Sequence, residues 1–268
     1  MKPSDPGGKA RACQVLCVAS LVLVLASNAR VAAAEGHLVL VGGGPTPAEI
    51  FSRTLALSGG RSAVVAVVPQ TFPTDSIADL AVTMWTTFKA REVVKVSRTD
   101  IEAARAVLER ATLIWMPGGF PSLLIHTIAD SEIPTIIRAR FAAGVTIGGA
   151  SAGAMAMSTT MIADESTPDG RAVNGPVTEA GLGLWPEAIV SAHFTERRRL
   201  GPLADIVREH PTLFGVGIDE GTAVFVSRGE FEVLGRGTVA IVDSRRQGVR
   251  TLRSGTRLRY GDTNSSRQ

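Results

Sequence analysis

The sequence predicts an α/β protein: a three-layer, mostly parallel sheet with helices on both faces. Three observations lead there. Short apolar, β-branched runs alternate with helical segments along most of the chain, at the spacing of βαβ units. Several of those runs end in glycine-rich turns: Gly42-Gly43-Gly44, Gly118-Gly119 and Gly148-Gly149. Gly149-Ala150-Ser151-Ala152-Gly153 then has the G-x-S-x-G form of a strand-to-helix elbow. In a parallel sheet the ligand crevice lies beyond the carboxyl ends of the strands, so these turns could converge on one site.

The first 34 residues read as a cleaved export signal, with an uncleaved membrane anchor as the alternative. Lys2, Lys9 and Arg11 form a positive start, residues 12–26 are apolar, and Ala32-Ala33-Ala34 supplies small residues for cleavage before Glu35. An apolar stretch of 15 residues falls short of the roughly 20 that span a bilayer. Cys17 lacks the small residues that precede a lipoprotein cysteine, so no lipid anchor is expected. The mature protein is therefore expected in a periplasm or the medium, free of the membrane. Both cysteines, Cys13 and Cys17, leave with the signal, which excludes disulfides and a cysteine nucleophile. Removing Lys2, Lys9, Arg11 and Arg30 from 28 basic residues, and Asp5 from 25 acidic ones, leaves 24 of each. A neutral mature chain gives no argument for nucleic acid, despite the basic isoelectric point of the whole.

One catalytic domain is expected over 35–243, with a last strand and a basic tail over 244–268. Residues 37–41 read as the first strand and 48–58 as a helix. The glycine triplet between them is a tight βα turn rather than a dinucleotide loop, because Pro47 stands where the third glycine of G-x-G-x-x-G belongs. Strands follow at 63–68, 92–96 and 112–116, and helices at 76–89 and 99–110. Thr99 and Glu102 have the spacing of a capping box. Helices at 123–128 and 134–143 lead to a buried strand at 144–147, then the elbow and a small, helix-tolerant segment at 154–158. Residues 164–177 are turn-rich and read as a loop or hairpin near the site. A strand at 188–192, a helix at 197–209 and a strand at 213–218 come next. Short strands at 223–227, 231–234 and 238–242 close the domain. From Ser244 the tail carries seven arginines, which read as a solvated edge; Val249, Thr251 and Leu252 suggest its strand.

Glycines two residues either side of Ser151 let a sharp turn close and leave the hydroxyl exposed at a helix N-terminus. Free N–H groups and the helix dipole there suit an oxyanion. The alternative is a Gly/Ala-rich connection with an incidental serine. A nucleophilic serine needs a base within hydrogen-bond reach. Of four histidines, His37 begins a strand, His126 lies in a helix and His210 ends one; His193 alone ends a strand on the crevice side. The base needs a carboxylate to fix its tautomer, and Asp219 or Glu220, ending the next strand, can supply it. The chain order serine, histidine, acid differs from that of α/β-hydrolases. Four scattered histidines make no metal cluster, so neither metal nor other cofactor is expected.

Gly149–Ala154, Gly181-Leu182-Gly183-Leu184, His193-Phe194 with Arg197, Arg199 and Leu200, and Gly217–Ala223 together resemble the cyanophycinase and dipeptidase E family of serine peptidases. The resemblance runs from His37 to about Asp243. It implies a fold of the class I glutamine-amidotransferase (flavodoxin-like) type and a triad of Ser151, His193 and Glu220, with Glu220 rather than Asp219 facing the histidine. It also implies cleavage of unusual peptide bonds at aspartyl residues. Cyanophycinases release β-aspartyl-arginine dipeptides from a storage polymer. The chain departs from the family where Phe120-Pro121 and Ser191-Ala192 stand in place of polar Asp-Gln pairs. Those four residues are candidate substrate contacts, and their change should alter the substrate, because a hydrogen-bonding site discriminates strongly. Arg197 and Arg199 can hold a substrate carboxylate, or else pair with Glu196.

The expected reaction is acyl transfer to water on a peptide or isopeptide. Ser151 attacks, His193 carries the proton, Glu220 orients it, and amides of Ala152 and of Gly118 or Gly119 receive the oxyanion. Two other readings stay open: an esterase or amidase using the same triad, and a non-catalytic exported binding protein on the same scaffold. A homodimer is compatible with either.

Overall fold

Strands in the parallel part of the sheet are apolar at successive residues because both of their faces are covered. The computed structural model describes residues 36–69, 75–163, 177–245 and 248–259. The expected export signal and, save for Val177, the turn-rich stretch at 164–177 lie outside them. The first half alternates β1 (Leu38–Val41), α1 (Ala48–Leu57), β2 (Val64–Val67), α2 (Ser76–Thr87), β3 (Glu92–Lys95), α3 (Ile101–Arg110) and β4 (Leu113–Met116). Then come α4 (Pro121–Ile128), α5 (Ile133–Ala142), β5 (Thr146–Ala150) and α6 (Ala152–Met155). The second half holds a hairpin, β6 (Thr160–Ile162) with β7 (Thr178–Ala180), then β8 (Ala188–Ala192), α7 (Leu200–Glu209) and β9 (Phe214–Ile218). It ends in β10 (Thr222–Ser227), β11 (Glu230–Gly235), β12 (Thr238–Asp243), β13 (Val249–Arg253) and β14 (Arg257–Arg259).

The main sheet has the order β14-β11-β10-β1-β5-β4-β2-β3, parallel from β1 to β3 and antiparallel beyond β1. Period-2 alternation sorts its side chains into two cores. Val39, Val41, Val65, Val67, Leu113 and Trp115 face α1 and α2, where they meet Ile50 and Trp85. Leu38, Leu40, Ile114, Met116 and Ile147 face the other way, against Leu108 of α3, Leu124 of α4 and Ile137 of α5. The sheet with its two helical faces is the three-layer arrangement the sequence predicts.

Two local outcomes differ from expectation. Asp100, not Thr99, caps α3: it has extended backbone, and its carboxylate accepts the Ala103 amide at 2.9 Å. Thr99 lies one residue outside the helix, where its amide and that of Asp100 are turned onto Ser97 Oγ at 3.3 and 3.0 Å. The cap therefore sits one residue later, and Glu102 is no longer at the third helical position that a capping box needs. The second outcome is that β8 and β9 do not join the main sheet. They pair in parallel with each other, and β9 pairs antiparallel with β12 and β12 antiparallel with β13, in a separate sheet ordered β13-β12-β9-β8. The strands leading to His193 and Glu220 thus approach β1 and β5 from a second layer. At the C-terminal end β13 and β14 each pair with an earlier strand, and Arg257 and Arg259 meet Glu232 and Glu230 at 3.2 and 2.6 Å.

Candidate active site

Ser151 follows directly on β5, whose last residues are in register with Val41 of β1 and Met116 of β4. Its amide donates to the Val41 carbonyl at 2.8 Å, which pins the turn to the strand beside it. The backbone there has φ 52° and ψ −114°, a conformation non-glycine residues rarely adopt. Gly153 lets the turn close: a Cβ there would lie 2.6 Å from the Met116 carbonyl carbon. Helix α6 is one turn long, shorter than the segment expected at 154–158. The Ala156 and Met157 carbonyls are instead taken by the Leu182 and Leu184 amides, each at 2.8 Å, so Gly181–Leu184 braces the elbow. So short a helix sums few peptide dipoles. Any oxyanion must rely on individual amides.

His193 comes to the serine from the second sheet. Its amide donates to the Gly42 carbonyl at 2.9 Å, joining the end of β8 to the end of β1, and its φ is 48°. The ring lies between two partners: Ser151 Oγ is 2.8 Å from Nε2, and Glu220 Oε1 is 2.6 Å from Nδ1. A carboxylate can only accept, so Nδ1 carries the proton and Nε2 is left to accept from the serine hydroxyl. His193 is 9% exposed. Burial lowers its pKa below the ordinary 6.5; the Glu220 hydrogen bond opposes this, and Arg197 and Arg199 lower it further. The imidazole is therefore neutral at neutral pH, with Nε2 able to accept a proton.

Asp219 and Glu220 are adjacent at the end of β9 and point to different tasks. Glu220 meets His193. Asp219 is 7% exposed and accepts from the Thr195 amide at 3.1 Å, the Thr238 amide at 2.9 Å and the Thr238 hydroxyl at 2.7 Å. Burial works against its charge, yet these hydrogen bonds outweigh it and hold the carboxyl below its ordinary value. The carboxylate ties the segment after His193 to the start of β12. Asp219→Ala should destabilise the protein by about 3 kcal/mol, because three donors lose a charged acceptor. The check is a fall in the denaturant midpoint at unchanged slope. Since the folded pKa is depressed, this contribution is present above the unfolded value near 3.8 and lost as pH falls through the folded one. The stability gap between wild type and variant should therefore shrink in acid.

A cavity of about 560 Å³ opens over Ser151 and His193, and Gly43, Gly44, Gly118 and Gly119 line it. The glycine-rich turns do converge, as their positions at strand ends predict. Among the described residues, neither the Ala152 nor the Gly119 amide bonds to another backbone group. Arg197 lines the cavity. Glu196, the alternative partner for Arg197, takes the Glu220 amide at 3.2 Å instead.

Arg199 requires a correction. It is 7% exposed, and its guanidinium donates to the Ala192 carbonyl at 3.2 Å and lies 3.7 Å from Met155 Sδ. It braces β8 against α6 and does not line the cavity, because the helical turn after His193 points it inward. Ser191 and Ala192 are likewise buried within β8. Phe120 and Pro121 start α4, and the cavity lining reaches Gly119 but not these two.

Two features escape sequence reasoning. Gly43 (φ 97°) and Gly44 (φ 63°) form the wall on which the His193 ring and the Glu220 carboxylate rest. A Cβ on Gly43 would lie 2.6 Å from His193 Nε2, and one on Gly44 2.6 Å from Glu220 Cδ. The other is the far wall of the cavity, which α2 supplies with Ile77, Leu80 and Met84. The only sequence signal for it was an apolar stripe in excess of what a helix needs to cover one face.

Comparison with known proteins agrees with this architecture. Residues 38–234 match the model of peptidase family S51. The cyanophycinase of Geminocystis herdmanii is 35% identical over 205 residues, covering 73% of this chain and 75% of that protein. The cyanophycinase of Synechococcus elongatus is 34% identical over 224 residues, covering 79% and 69%. In structure, a peptidase from an acI-B1 actinobacterium superposes with a TM-score of 0.65 at 21% identity, over 85% of this chain and 98% of that one. The chain belongs to peptidase family S51 and is a serine-type peptidase.

Proposed function

We propose that this chain is an exported serine peptidase that hydrolyses a peptide or isopeptide bond at an aspartyl residue through an acyl-enzyme on Ser151. The observation that carries the reading is the hydrogen-bonded series Ser151–His193–Glu220, whose first two members line the cavity. Ser151 Oγ attacks the scissile carbonyl as Nε2 takes its proton. Glu220 holds Nδ1–H and stabilises the imidazolium that forms. The oxyanion is received by the Ala152 and Gly119 amides, each worth roughly 3 kcal/mol in the transition state. The carbon–nitrogen bond breaks, His193 gives its proton to the leaving amine, and water, deprotonated by the same ring, cleaves the ester. The isopeptide class is supported by the relatives named cyanophycinase. The export assignment rests on the charge and apolar pattern of the first 34 residues.

Covalent labelling by a fluorophosphonate tests the nucleophile: wild type should label at one site, found at Ser151 by peptide mass, and Ser151→Ala should not. Unlabelled wild-type protein rejects the reading. Export predicts a purified protein that begins at Glu35 and is recovered outside the cytoplasm.

The acid limb of kcat/KM gives a further check. Catalysis needs neutral His193, whose pKa is lowered, so the limb should lie below pH 6.5. Arg197→Gln removes a nearby positive charge and should move the limb upward. A limb that stays in place removes Arg197 from the electrostatics of the base.

A further inference from the structure

Helix α2 is apolar on two faces. Ala78, Ala81 and Trp85 pack into the core, which accounts for one of them. Ile77, Leu80 and Met84, spaced three and four apart, form a second stripe along the cavity. Leu80 is 65% exposed, more than the other exposed large apolar side chains of the described residues. Beneath the stripe the cavity wall continues in Phe51 and Trp115, whose rings are 6.2 Å apart. Trp85 holds Trp115 edge-on at 5.0 Å. The wall is thus apolar, packed in its aromatic part, and shared with the space over Ser151.

Charge in the cavity is one-sided. Among the described residues Arg197 is the one lining group with a full positive charge, and no carboxylate lines the cavity. Glu220 is engaged behind His193. A guanidinium entering this space would lie against Ile77, Leu80 and Met84 with no anionic partner among the described residues and with Arg197 repelling it. A carboxylate beside a large apolar side chain meets the opposite conditions: a cation for the first, an apolar wall for the second.

We infer that the substrate joins an acidic residue to a large aliphatic or aromatic one, with a carboxylate on Arg197 and the apolar side chain on the Ile77–Leu80–Met84 wall. This rests on Ser151 being the nucleophile. The chemistry is unchanged: the amide bond breaks, water is consumed, and an acid and an amine are released.

The test compares kcat/KM for β-aspartyl-leucine, β-aspartyl-phenylalanine and β-aspartyl-arginine, with active sites counted by fluorophosphonate labelling. The leucyl and phenylalanyl compounds should be preferred over the arginyl one by about 10- to 100-fold, the range that pocket contacts of this size give. Leu80→Glu, at an exposed position the fold does not depend on, should narrow or invert that ratio; Ile77→Glu, which unlike Met84 is not packed against the core, provides a second reading. Labelled enzyme that cleaves none of the three, favours the arginyl compound, or keeps its ratio in both variants overturns the inference while leaving the nucleophile intact. Enzyme that fails to label removes the nucleophile, and the inference with it.

Discussion

Ser151→Ala should lower kcat by about 10⁴- to 10⁶-fold, the range seen when the nucleophile of a serine–histidine–acid unit is removed. The fold should be left almost untouched. Alanine keeps the Cβ, so the strained φ of 52° is neither relieved nor worsened, and the Ser151 amide still donates to Val41. What is lost is the hydroxyl 2.8 Å from His193 Nε2. Glu220→Gln should cost less, about 10²- to 10⁴-fold, through the tautomer: the amide can offer its NH₂ to Nδ1 and so place the proton on Nε2, where it cannot accept from serine. Turnover per mole of purified protein, with thermal unfolding recorded beside it, separates these from loss of folded protein. If Ser151→Ala turns over at more than about a hundredth of the wild-type rate, another group is attacking.

Much of this site was legible because its groups sit at strand ends. A run of β-branched residues that stops at Gly42, Gly118 or His193 marks both an element and its orientation; parallel pairing carries the first two ends to one edge, and the His193 amide joins them from the second sheet through the Gly42 carbonyl. The core was legible for the same reason, since strands covered on both faces show as unbroken apolar runs. The second sheet was not, because pairing partners are chosen over long sequence separations and nothing local to β8 says it pairs with β9 rather than β5. Arg197 and Arg199 show the limit at finer scale. Two residues apart on a turn of unknown phase, they are equivalent in sequence, yet one lines the cavity and the other is buried against Ala192 and Met155. The division between Asp219 and Glu220 is of the same kind. Family resemblance, not spacing, is what chose Glu220 for the histidine, and the clamp made by Asp219 depends on Thr238 of a strand that had no assigned neighbour.

Gly43→Ala should lower kcat by about 10²-fold or more while destabilising the protein by only about 1–2 kcal/mol. Two effects act together, and they can be separated. The backbone has φ 97°, which an alanine adopts only with strain. Independently, the new Cβ would stand 2.6 Å from His193 Nε2, well inside van der Waals contact, so the ring must move by roughly 1 Å. That movement opens the hydrogen bond to Ser151, and a misplacement of that size is enough to cost two orders of magnitude. Gly60→Ala is a control for positive φ without a clash: its φ is 60°, and its Cβ would meet nothing within 4 Å. It should carry the backbone strain and keep full activity. Gly44→Ala presses on the Glu220 carboxylate instead and should resemble a weakened Glu220→Gln, with turnover reduced but fluorophosphonate labelling retained. If Gly43→Ala loses no more activity than Gly60→Ala, the glycine triplet is only a tight turn, and the histidine does not depend on it for its place.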